Sequence, residues 1–172
     1  MAAAALVVLS FQCKKNRQLF FMQMLGTALF TLHFGLLGQM PGVLLNAVCV
    51  LRALVVYLRE ERGWARSPVW LAALLAAYTA VSVLTWEGIV SLWLLAVLLL
   101  MTVAMWMNHP RSIRWVQLLG VSPAWLVYNC MAFSIGGMAN EIFNILSVLL
   151  FFFRTGLGKK KSPVEADKRS VG

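Results

Sequence analysis

Acidic residues are nearly missing from this sequence: six Asp and Glu stand against fifteen Lys and Arg in 172 residues. Charge of either sign makes up only 12% of the chain, whereas 61% is hydrophobic and the mean hydropathy is +0.80. A soluble domain carries about a quarter charged residues, so this balance excludes one. Cysteine is sparse and odd in number. Cys13, Cys49 and Cys130 show no CxxC spacing, so neither a disulfide framework nor a zinc site is implied, and all three read as small apolar packing residues. Histidine is limited to His33 and His109, which fall on opposite membrane faces in the segments below, so no metal or other cofactor is expected. Ser134 has no histidine with a supporting acid in view, and the constellation of an intramembrane enzyme is lacking. The run before Lys14 has neither a basic leading region nor a small-residue cleavage site, so a removed signal peptide is not expected.

What the chain does have is apolar runs of membrane length. A hydrocarbon layer of about 30 Å needs roughly 20 helical residues. That rule predicts segments at 1–13, 19–38, 41–58, 68–86, 88–107, 115–134 and 136–153, an all-α integral membrane protein with seven transmembrane helices. Turn signals separate them: "GQMPG" from Gly38, "RSP" from Arg66, "NHPR" from Asn108 and "SIGG" from Ser134. The first segment would span only about 20 Å, so either an upstream start lengthens it or the bilayer thins beside it. The polar, basic stretch 155–172 reads as a disordered tail.

The basic residues fix an orientation. Lys14, Lys15 and Arg17, then Arg59, Arg62 and Arg66, then Arg111 and Arg114, and finally Arg154 with the tail fall in alternate connections and hold fourteen of the fifteen cations. The other connections hold none, and one of them carries Glu87. Because cytoplasmic loops retain positive charge, the amino terminus is predicted outside and the carboxyl terminus inside. The net charge of +9 is thus a topology signal that gives no reason to invoke nucleic acid. Lys159, Lys160 and Lys161 suit anionic lipid headgroups. The oligomeric state is not encoded in any readable pattern.

Shifting the chain by 94 positions aligns Arg17 with Arg111, Gln23 with Gln117, Gly26 with Gly120, Gly42 with Gly136 and Asn46 with Asn140. A one-residue slip then pairs His33 with Tyr128 and Arg59 with Arg154. The expectation is a 3+1+3 plan of parallel triple-helix repeats, 1–58 and 88–154, joined by a linker at 59–87 that carries the fourth helix. In that helix Ala72, Ala76 and Ala80 recur every four residues and would let neighbouring backbones approach closely.

Polar residues inside these segments are the candidate site. His33, Asn46, Tyr128, Asn129, Asn140, Glu141 and Asn144 all fall in the outer half, and Gly137, Asn140, Glu141 and Asn144 share one helical face. A carboxylate at the bilayer centre costs on the order of 3 kcal/mol, so such groups usually face the bundle or a water-filled cavity. The two repeats are expected to converge on a solute-binding cavity open to the outside, with a small polar or zwitterionic solute bridging Glu141 and the deeper Arg52. The plainer alternatives are helix-bridging asparagines, an interfacial histidine, a Glu141 that reaches the headgroups and an Arg52 that snorkels inward. Trp86, Trp93, Trp106 and Trp115 read as interfacial anchors, and "SVLLFFFR" as lipid-facing bulk.

"HFGLLGQMPG" with "LLNAV" in the first half, and "WLVYNCMAFSIGG" in the second, resemble the YgjV family of bacterial inner-membrane proteins over about Lys14 to Arg154. The resemblance implies a multi-pass inner-membrane location and a fold distantly like the SWEET, PQ-loop and PnuC-type transporters. This chain lacks the Pro-Gln motif of PQ-loop proteins. The combined expectation is a transporter or facilitator of a small polar solute, with no enzymatic activity. The rival is a non-transporting adaptor or sensor of the same fold, whose basic loops and tail recruit a partner.

Overall fold

The computed structural model describes residues 16–59 and 61–155. The segment predicted at 1–13, Cys13, Glu60 and the tail with Lys159, Lys160 and Lys161 lie outside the described residues. Every regular element among the described residues is helical. Helix α1 is Asn16–Leu36, α2 is Met40–Leu58, and a 3-10 turn Gly63–Arg66 leads into α3, Pro68–Leu84. Helix α4, Ile89–Trp106, is followed by one rod made of α5 (Pro110–Val116), a π turn (Gln117–Val121) and α6 (Ser122–Met131), and then by α7, Ile135–Thr155. Met40–Leu58, Ile89–Trp106 and Ile135–Phe153 are long and apolar enough to cross a membrane, and Met24–Leu36 and Pro68–Leu84 are shorter apolar helices.

Prolines set the starts. Pro41, Pro68 and Pro110 sit in the first turns of α2, α3 and α5, where a missing N–H costs nothing. Ser67 caps α3 by accepting the Val69 amide at 3.4 Å. The rod therefore begins at Pro110 and not at 115 as the hydropathy suggests. Pro123 explains its irregularity: with no N–H and a ring that presses on the carbonyl four residues back, it disturbs the ladder, and the helix widens into the π turn just before it.

Two helix ends use the same turn. After α1 the Gly38 amide donates to Gly35 O at 3.1 Å and the Gln39 amide to Phe34 O at 3.0 Å, with Gly38 left-handed at φ 70°. After α6 the Phe133 amide donates to Cys130 O at 3.3 Å and the Ser134 amide to Asn129 O at 2.9 Å, with Phe133 at φ 52°. Both are Schellman closures, which satisfy carbonyls that the helix end would leave bare. The turn expected at "SIGG" thus lies earlier, at Ala132 to Ser134, and Gly136 and Gly137 are already inside α7.

Helix α4 sits centrally, packing against α2, α3 and the α5–α6 rod. It buries Leu94, Val97, Leu98, Met101 and Met105. Helix α3 buries Leu74, Tyr78 and Ser82, whereas Ala72, Ala76 and Ala80 are exposed, so the alanine row expected to draw backbones together faces away from this bundle. Large apolar side chains cover the outside, among them Leu32, Leu100, Ile142, Phe143, Leu146 and Phe153. Such a surface is an error in water and the requirement in lipid. Within "SVLLFFFR" the reading as lipid-facing bulk fails for Val148 and Phe152, which are buried, and the Phe152 ring lies 4.5 Å from that of Trp115, which is therefore a packing residue and not only an anchor.

Candidate functional site

One end of the bundle, where Leu37 to Gln39, Thr85 to Gly88 and Ala132 to Ser134 turn, contains no Lys or Arg. Its centre is aromatic. Phe34 of α1 stacks on Trp125 at 6.0 Å and meets Tyr128 edge-on at 5.7 Å, and Trp125 and Tyr128 are 5.5 Å apart. Gly42 makes this possible, because a Cβ there would stand 2.7 Å from the Phe34 ring and 3.0 Å from the Tyr128 hydroxyl. That hydroxyl is buried with no hydrogen-bond partner. Beside the rings, His33 Nε2 and Ser134 Oγ are 2.9 Å apart and tie α1 to the start of α7. Ser134 Oγ also accepts the Gly137 amide at 3.1 Å, an N-cap that leaves its proton available to an unprotonated His33 Nε2. Ser134 thus meets a histidine but not one with a supporting acid among the described residues: the rings packed on His33 are Phe30 and Phe34.

The asparagines divide. Asn46 donates to Gly42 O at 2.8 Å and Asn129 to Trp125 O at 2.7 Å, each four residues back on its own helix. Neither bridges helices through its amide nitrogen. The Asn129 Oδ1 has no partner and lies where a Cβ on Gly137 would come within 1.7 Å of it, so Gly137 is the close-approach glycine between α6 and α7. On α7, Asn140 donates to Glu141 Oε1 at 3.0 Å and Asn144 to Oε2 at 3.3 Å. The Ser122 hydroxyl is a third partner of this carboxyl, and Gln117 in the π turn donates to Ser122 Oγ at 2.8 Å. Glu141 is therefore buried in a network joining the π turn to α7, and it does not reach toward headgroups.

Arg52 sits apart from that network, with no hydrogen-bond partner in common. It lies six residues before the end of α2, about 9 Å along the axis. Its Nη1 donates to Thr102 Oγ1 at 3.3 Å, its Nη2 reaches Cys49 Sγ at 3.9 Å, and its Nε is buried without a partner. The guanidinium carbon is 5.7 Å from the Tyr78 ring centroid. Thr102 gives its own proton to Leu98 O at 2.7 Å and Tyr78 gives its to Cys49 Sγ at 3.2 Å, so both groups turn toward Arg52 as acceptors or faces. Among the described residues no carboxylate pairs with Arg52.

Below it, at the arginine-rich end, a cleft of about 290 Å³ is lined by Val56, Arg59, Arg66, Met105, Trp106, Met107 and Asn108. Arg59 lies over the Trp106 ring at 4.2 Å and donates to the Trp106 carbonyl, while Arg66 Nε donates to Arg59 O at 3.1 Å. Val56 follows Arg52 by four residues and Met105 follows Thr102 by three, so the cleft begins about one helical turn, roughly 5.4 Å, from the Arg52–Thr102 contact.

The structure thus gathers Asn140, Glu141 and Asn144 into one group and His33 and Tyr128 into another around Phe34. It leaves Asn46 and Asn129 on their own backbones and Arg52 with residues that the sequence reading passed over: Tyr78, Thr102 and Cys49. The available signal was Tyr78 itself, a polar aromatic in the middle of an apolar helix.

Helices clothed in exposed apolar side chains, with their carboxylate, amides and guanidinium turned inward, define a helical integral membrane protein. The chain belongs to the Imp-YgjV family, described as a bacterial inner membrane protein, whose family model matches residues 1–159. No curated protein and no solved structure matches it.

Proposed function

We propose that this inner-membrane protein is a transporter or facilitator of a small polar solute, built from two parallel repeats with the arginine-rich end in the cytoplasm. The observation that carries the reading is the asymmetry around Arg52: packed rings and the His33–Ser134 contact fill one end, and a cleft rises from the other end to within a turn of a guanidinium that no acid among the described residues neutralises. Such an arrangement corresponds to an inward-facing state of an alternating-access device.

The repeat is supported by geometry at the same spacing as the residue matches. The starts of α1 and α5 are 94 positions apart, the starts of α2 and α7 are 95 apart, and the two Schellman turns at Gly38 and Phe133 are 95 apart. Helix α3 then serves as the linker that lets both halves run in the same direction. The segment at 1–13 completes the first triplet in this plan.

The adaptor reading draws on the opposite end, where the amide nitrogens of Asn46 and Asn129 bond to their own helices and His33 and Ser134 bond to each other. No catalytic step belongs to either reading, because the hydroxyl of Ser134 is fully buried and serves as a helix cap.

Transport is tested with purified chain in liposomes exposed to an isotopically labelled mixture of cell metabolites, followed by mass spectrometry of the lumen. Enrichment of one or more solutes above protein-free vesicles is expected. No enrichment, together with a soluble protein that co-purifies stoichiometrically through the basic loops, would place the adaptor first. Reporter fusions after Gly38, Glu87 and Ser134 should read outside and those after Arg66, Pro110 and Lys161 inside. A single reversal removes the proposed topology.

A further inference from the structure

The charge of the solute can be read from the chemistry around Arg52. A guanidinium keeps its proton under all physiological conditions and offers five N–H donors in a planar fork. Here two of them meet weak neutral acceptors, a threonine oxygen at 3.3 Å and a thiol sulfur at 3.9 Å, and the buried Nε meets nothing. A cation in a membrane segment is costly, and such residues persist where a counter-charge or a pathway needs them. The counter-charge is not Glu141, whose two oxygens are held by Asn140 and Asn144 of its own helix and by Ser122 of α6. Glu87 lies at the opposite end, and Glu61 belongs to the loop beyond the end of α2.

The approach to Arg52 has the same sign. Arg59 follows Arg52 by seven residues and so shares its helical face. Among the described residues, Arg59 and Arg66 are the charged residues that line the cleft. Val56, Met105 and Met107 supply an apolar lining between these cations. At about 290 Å³ the cleft is at the lower limit of small-molecule sites, which run from about 300 to 1,000 Å³.

We infer that the solute is a small organic oxyanion, a carboxylate or phosphate ester with a short apolar body, that passes through the Arg59–Arg66 cleft and places its oxygens on the Nε and Nη groups of Arg52. The inference rests on the transport reading and narrows it. Thr102 and Tyr78 orient the fork, and the solute supplies the negative charge that no described carboxylate gives Arg52.

The test uses the full chain in phosphatidylcholine vesicles with radiolabelled succinate, inorganic phosphate, glycine, choline and glucose, one at a time. Saturable flux of succinate or phosphate is expected, reduced by roughly tenfold or more in Arg52→Gln. Arg52→Lys should retain part of it, and Arg59→Gln should raise KM more than it lowers the maximal rate. Glu87→Gln, at the opposite end of the bundle, should leave flux unchanged. Wild-type thermal unfolding in detergent gives an arm independent of variant folding, with succinate or phosphate raising the midpoint and choline leaving it alone. Flux of glycine, choline or glucose that survives in Arg52→Gln would overturn the anion assignment while leaving transport standing. Absence of flux for every solute, with no shift in the midpoint, would overturn both. Stabilisation by phosphatidylglycerol but by no soluble oxyanion would make the cleft a lipid-headgroup seat and also overturn the assignment.

Discussion

At the end without Lys or Arg, Phe34, Trp125 and Tyr128 fill the space between α1, α2 and α6, and His33 and the amide nitrogens of Asn46 and Asn129 are tied down by Ser134, Gly42 O and Trp125 O. At the arginine-rich end, α2 and α4 part around a cleft, and the side chains that line it interact through a cation over a ring and through backbone carbonyls. Helix α2 contributes to both ends. The contrast shows where rigidity and where solvent access reside: interlocked rings resist separation collectively, whereas arginines on long stems close a space only as long as something fills it.

Substitutions at the two ends should therefore differ in scale. The largest effect is expected from Trp125→Ala, on the order of 3 kcal/mol or more of lost packing, against about 0.5–1 kcal/mol for Arg59→Gln, which removes the cation over Trp106. Unfolding of the purified protein in a mild detergent, followed by tryptophan fluorescence, compares them. Equal losses would mean that the two ends are equally packed.

An intermediate effect is expected at the glycines. Gly137→Ala drives a methyl into Asn129 Oδ1, and Gly42→Ala drives one into the Phe34 ring, so each should cost about 1–3 kcal/mol through overpacking. Gly136 has nothing within 4 Å of its Cβ position, and Gly136→Ala should be neutral or stabilise by up to about 1 kcal/mol as an ordinary helix substitution. A loss at Gly136 as large as that at Gly137 would refute the close approach of α6 to α7.

A smaller loss than at the close-packed glycines is expected at the His33–Ser134 contact between α1 and the start of α7. Ser134→Ala removes a cap and a partner of His33, about 1–2 kcal/mol together, and His33→Gln should cost less because an amide can still meet the Ser134 hydroxyl. If loosening this contact favours the alternate state, cysteine accessibility at Gly38 and Phe133 should rise in Ser134→Ala with the fold intact. Unchanged accessibility would leave Ser134 as a cap alone.

Much of this was legible in the chain. Apolar run length gave five of the helices within a few residues at most boundaries, because a hydrocarbon layer imposes one length on every crossing. The rod at Pro110 began early because proline is tolerated in a first turn, and "SIGG" was read as a turn because glycine marks turns more often than it marks close packing. The inward face of α7 follows from the three- and four-residue spacing of Gly137, Asn140, Glu141 and Asn144. The partners of Arg52 were not legible. Tyr78, Thr102 and Cys49 come from three helices, and nothing in the spacing of one helix tells which face of another it will meet. The same holds for His33 and Ser134, which are 101 residues apart in sequence.

Phe133 turns the chain where its counterpart Gly38 does so without strain. A phenylalanine at φ 52° gives up on the order of 1 kcal/mol relative to glycine, and its ring stands 86% exposed beyond the end of α6. In water that combination has nothing to recommend it. At the boundary of a bilayer such a ring would act as a keel, resting among acyl chains and headgroups so that lipid holds a turn the backbone alone resists. If so, the turn between α6 and α7 is tuned partly by the membrane, and amide exchange at Phe133 and Ser134 should slow in thicker bilayers and quicken in short-chain detergent, while the turn at Gly38 stays indifferent to both.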